Sequence, residues 1–67
     1  MLIKWTNRYS QESGFVKSVD YKGKHFNNTW FEEDAQKFKT EDSANKIINR
    51  LISFGEGDYN DFEIVDK

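Results

Sequence analysis

Between Thr40 and Gly55 the apolar residues fall at Ala44, Ile47, Ile48 and Leu51, with Ile52 at the margin of the stripe. Steps of three and four residues place them on one side of a helix. Thr40 is the expected N-cap, because its hydroxyl can accept from one of the backbone N–H groups that a helix start leaves unpaired. Glu41 and Asp42 then occupy the first turn, where negative charge suits the helix dipole, and Gly55 offers a left-handed stop just past Phe54. The polar face, Asp42, Asn45, Lys46, Asn49, Arg50 and Ser53, carries no recognisable chemistry.

Towards the N-terminus the period changes to two. In residues 2–9 Ile3, Trp5 and Tyr9 alternate with Lys4, Thr6 and Arg8, the pattern of a half-buried strand. Ser10 to Gly14 reads as a loop closed by glycine, 15–21 as a second strand, Lys22-Gly23 as a two-residue turn and 24–31 as a third strand. A turn of that length pairs Tyr21 with Lys24, Val19 with Phe26, Lys17 with Asn28 and Phe15 with Trp30. If the first loop pairs Tyr9 with Phe15, Trp5 meets Val19 and Asn7 meets Lys17. One face then carries Ile3, Trp5, Tyr9, Phe15, Val19, Tyr21, Phe26 and Trp30, crossed by a polar row of Asn7, Lys17 and Asn28. The other face is polar and holds Val16 and a cross-strand Asp20–His25 pair.

Glu32, Glu33 and Asp34 end the third strand, and Ala35 to Phe38 form a short turn or a single helical turn leading to the cap, with Phe38 tucked under the helix. After Gly55 an acidic loop leads to a last short strand over 62–65, whose pairing with the first or the third strand is left open. The expected fold is α+β: a three-stranded antiparallel meander, one helix packed on it, and a short C-terminal strand, in the order β-β-β-α-β and in one domain.

The set Ala35, Phe38, Thr40, Asp42, Ala44, Ile47, Ile48 and Leu51, followed by a terminal strand, resembles small uncharacterised proteins of Gram-positive bacteria and their phages. The likeness covers the C-terminal half and rests on cap and core positions. It implies a small protein that docks on and modulates a larger host protein, sometimes as an inhibitor.

Composition narrows the chemistry. The 67 residues include no Cys, which excludes disulfides, thiolate nucleophiles and zinc–thiolate sites. Eleven aromatic residues, 2 Trp, 3 Tyr and 6 Phe, must supply most of the burial. No stretch approaches the roughly 20 apolar residues of a membrane span, and the first residues lack the apolar run of a signal peptide, so a cytoplasmic protein is expected. The net charge of −2 is uneven. Residues 1–30 hold five cations against two anions, a net +3, and residues 31–67 hold five against ten, a net −5.

His25 is the only histidine, so one chain cannot build a His-based triad or a two-His metal site. Glu56, Asp58, Asp61 and Glu63 lack calcium-loop spacing, and no glycine-rich phosphate loop precedes the helix. With no nucleophile beside a base, neither an enzyme nor a cofactor is expected. Two binding classes are left. Aromatics interleaved with Lys and Arg in the first thirty residues are a way to hold single-stranded nucleic acid, although the same aromatics are needed as core. The preferred class is a protein-interaction module, a monomer or weak homodimer. One 14-residue helix, about 21 Å long, is too short to cover eight apolar sheet positions. Tyr9, Phe15, Lys17 and Trp30 are the expected partner-binding patch.

Overall fold

The computed structural model describes residues 1–66. Among the described residues four strands, β1 (Leu2–Asn7), β2 (Ser13–Asp20), β3 (His25–Thr29) and β4 (Asn60–Val65), accompany one α-helix, α1 (Glu41–Ser53). They form one antiparallel sheet in the order β3-β2-β1-β4. The fold is α+β. In place of a three-stranded meander with a short appendage there is one four-stranded sheet, because β4 pairs with β1 along its whole length, from Leu2↔Val65 to Asn7↔Asn60.

The first hairpin differs from the pairing expected of Tyr9 with Phe15. The observed pairs are Lys4↔Phe15, Trp5↔Gly14 and Thr6↔Ser13. The reason is local. The Asn7 side-chain oxygen accepts from the backbone N–H groups of Tyr9 and Ser10, and the Asn7 N–H donates to Glu12 O, so the chain turns at Asn7. The slip is an odd number of residues and exchanges the faces of β2. Val16 is fully buried in the core, and Phe15 lies half-buried on the opposite face beside Lys4. Gly14 does not close a loop. It sits in β2 opposite Trp5, where a Cβ would come within 2.9 Å of Trp5 Cζ2 and 2.5 Å of Asn28 Oδ1.

The second hairpin keeps its expected register near the turn, with Val19↔Phe26 and Asp20↔His25, and His25 Nε2 lies 3.2 Å from Asp20 Oδ2. Beyond Ser18↔Asn27 the register shifts, and the next pairs are Val16↔Asn28 and Phe15↔Thr29. Lys17 is the extra residue of this bulge and is exposed. The polar row of Asn7, Lys17 and Asn28 therefore does not form. Asn28 accepts the Trp5 indole N–H at 2.7 Å, and Asn7 spends its side chain on the turn.

A bulge also bends the strand, and the hairpin curls over the helix-bearing face. Phe26, on one edge of the sheet, brings its ring within 6.1 Å of Trp5 and 5.7 Å of Phe62 on the other edge. Where β1 and β2 part, residues 35–38 run extended between them and do not form the expected turn. Gln36 N–H donates to Val16 O, and Phe38 N–H to Met1 O. A short 3₁₀ turn, Glu32–Asp34, precedes this crossing.

The helix follows its sequence signals. Thr40 Oγ1 accepts the Ser43 N–H at 3.2 Å, and Gly55 takes φ +96° after Phe54. Ala44 and Leu51 are fully buried against Ile3, Trp5, Val16 and Phe38, with Ile47 and Ile48 packed around them. Burying a side chain such as Leu51 contributes about 1.5–3 kcal/mol. The acidic segment after Gly55 is ordered as a second 3₁₀ turn, Glu56–Asp58, leading straight into β4.

Candidate functional site

Ile48 and Ile52 are one turn apart on the side of α1 that faces β4, and Ile52, at the margin of the stripe, is 52% exposed. Between them and Asn60, Asp61 and Phe62 of β4 runs an open groove of about 490 Å³, lined also by Arg8, Gly57 and Asp58. Apolar Ile48, Ile52 and Phe62 share its lining with charged Arg8, Asp58 and Asp61. Tyr59, 58% exposed, directly precedes β4, and its ring lies 6.4 Å from that of Tyr9, 76% exposed. Neither ring lines the groove; the pair adjoins it only in the chain, next to Asp58, Asn60 and Arg8.

The groove borders an unpaired strand edge. Along β1, Asn7 N–H donates towards β2, to Glu12, and Arg8 N–H towards β4, to Tyr59. Antiparallel pairs alternate, so the backbones of Asp61, Glu63 and Val65 face β1. Those of Asn60, Phe62 and Ile64 point outward. No strand lies beyond β4 among the described residues. The side chains alternate in the same rhythm. Phe62 and Ile64 enter the core, while Asp61 and Glu63 sit on the other face, with Arg8 Nε at 2.9 Å and Lys4 Nζ at 4.0 Å. Glu56, Asp58, Asp61, Glu63 and Asp66 stand against Lys4, Arg8 and the Met1 ammonium, an excess of two negative charges among the described residues around this edge.

Of the residues expected to form one patch, the fold brings none of Phe15, Lys17 and Trp30 to the groove. Trp30 is 57% exposed and stands 5.7 Å from Trp5, on the helix-bearing side of the sheet. Phe15 pairs with Thr29, not Trp30, and projects from the opposite face. Lys17 occupies the bulge. Tyr9 alone adjoins the groove, next to Arg8 in the chain. Nothing in the sequence marks Ile48, Ile52 and Phe62 as one site. Ile52 was visible as the margin of the stripe, but its neighbour across the groove depends on which strand β4 pairs with.

Among the described residues, no three His, Asp or Glu side chains converge as metal ligands, and no helix is long and apolar enough to cross a membrane. No protein-family model, curated protein or solved structure matches the chain.

Proposed function

We propose that this chain is a non-enzymatic protein-interaction module that docks on, and modulates, a larger protein of its host cell. The observation that carries the reading is an open groove lined by half-exposed Ile52, with the exposed Tyr9–Tyr59 pair adjoining its lining residues Arg8, Asp58 and Asn60 in the chain. Large side chains left in water at this density are what binding surfaces use, and tyrosine contributes contact area at low conformational cost.

Single-stranded nucleic acid is the second reading, favoured by exposed Trp30 and by Lys17, Lys22 and Lys24 on the β2–β3 hairpin. It ranks lower because Trp5 and Phe26 are spent on the core and Lys4 and Arg8 face carboxylates. The test is affinity capture from a Gram-positive lysate with the wild-type chain and with Tyr9→Ala/Tyr59→Ala, before and after nuclease. A protein retained after nuclease and lost with the double variant supports docking. Retention that disappears with nuclease promotes the second reading, and no specific retention refutes both.

A further inference from the structure

Resting on the docking reading, we propose that the outer edge of β4 accepts an extended, basic peptide segment of a partner as a fifth strand of the sheet. Three features converge on this occupant. First, Asn60, Phe62 and Ile64 present outward backbone groups over the length of a short strand, and adding a strand satisfies them with main-chain hydrogen bonds of any sequence. Second, side chains alternate along the incoming strand. Every other one enters the groove against Ile48 and Ile52, so apolar residues are preferred there. Third, the intervening side chains lie beside Asp61 and Glu63, whose side chains are 66% and 63% exposed and can each take a further donor. The excess of negative charge around the edge makes lysine or arginine the complement at those positions.

The same charges reject a second copy of this chain. Antiparallel self-pairing about Phe62 sets Asp61 against Glu63 of the other copy. Sliding the register either way sets Glu63 against Glu63 or Asp61 against Asp61. Like charges directly opposite on a sheet are unfavourable, and charge on an exposed edge is a recognised guard against self-association. The edge is thus closed to itself and open to a cationic strand.

The probe is a capped eight-residue peptide alternating valine and lysine, with its valine–glutamate counterpart as control, titrated into the full chain and followed by amide NMR. The lysine peptide is expected to bind saturably, to slow hydrogen exchange at the Phe62 and Ile64 amides, and to weaken as salt rises. The glutamate peptide is expected not to bind. Ile52→Lys and Asp58→Lys, both at exposed positions, are each expected to weaken binding by about tenfold or more, because each sets a cation beside the incoming lysines. Binding without protection of Phe62 and Ile64, equal binding of the glutamate peptide, or protection of those amides by self-association at high concentration each overturns the proposal. A captured partner that survives Ile52→Lys and is lost with Trp30→Ala would overturn it while leaving the docking reading in place.

Discussion

Replacing Gly14 by alanine has opposite consequences in a loop and in the strand where the structure places it. In a flexible loop the change removes conformational freedom from the unfolded chain and stabilises by about 0.4–1 kcal/mol. In β2 the added Cβ would lie 2.5 Å from Asn28 Oδ1, 2.9 Å from Trp5 Cζ2 and 3.0 Å from the Thr29 carbonyl oxygen. The Asn28 side chain can swing away only by releasing the Trp5 indole N–H, which it holds at 2.7 Å. The lost hydrogen bond costs about 0.5–1.5 kcal/mol and the overpacking about 1–3, so Gly14→Ala is expected to destabilise by about 1.5–4.5 kcal/mol.

A small domain has little stability to lose, on the order of 0.05–0.15 kcal/mol per residue. For a chain of this size each kcal/mol lowers the melting temperature by about 4–8 °C. The assay is thermal unfolding by circular dichroism, checked by urea unfolding, and a fall of more than about 6 °C is expected. Asn28→Ala in the Gly14→Ala background removes the closest clash, so the pair should cost less than the sum of the single changes by at least about 0.5 kcal/mol. A melting temperature unchanged or raised by Gly14→Ala would refute the Trp5↔Gly14 register and return Gly14 to a loop.

Leu51→Ala should cost about 2–5 kcal/mol and bring the domain close to unfolding. Ile52→Ala, at a half-exposed position of the same helix, should cost clearly less, and equal losses in urea titrations would mean that the stripe is misassigned. Thr40→Ala should lose about 1 kcal/mol through the Ser43 N–H, and Asp42→Ala less, because a first-turn charge contributes about 0.3–1 kcal/mol. The reverse order in thermal melts would move the helix start. Binding to a single-stranded oligonucleotide should be about micromolar or weaker at physiological salt and fall as salt rises. Submicromolar affinity by fluorescence anisotropy would promote the nucleic-acid reading.

The helix was legible because cap, stripe and stop are written within sixteen residues and agree with one another. The sheet was legible only where pairing is local. The β2–β3 turn set Val19 against Phe26, but the count failed at Lys17, since one bulged residue shifts every position behind it. A trace of the bulge lies in the sequence: Val16 and Val19, three apart, cannot share a face of a regular strand, yet both pack towards the core. The first hairpin failed for a different reason. Gly14 reads as loop punctuation, whereas here glycine makes room for an indole. Nothing in the local sequence marks that use, because Trp5 and Asn28 reach Gly14 from two other strands.

The groove depends on pairing at still longer range. Glu56, Asp58, Asp61 and Glu63 read in sequence as a solvated acidic run, and as a run they show no period. Pairing β4 with β1 divides them: Glu56 accepts the Asn60 side chain, Asp61 holds Arg8, Glu63 faces Lys4, and Asp58 lines the groove. It also splits β4 into two sets of backbone groups, one consumed by β1 and one left open. A six-residue strand with carboxylates at alternate positions is poorly suited to close a sheet against a copy of itself. It is well suited to wait at the edge for a strand of opposite charge, and the apolar strip of Ile48 and Ile52 beside it provides the second contact that main-chain pairing alone lacks.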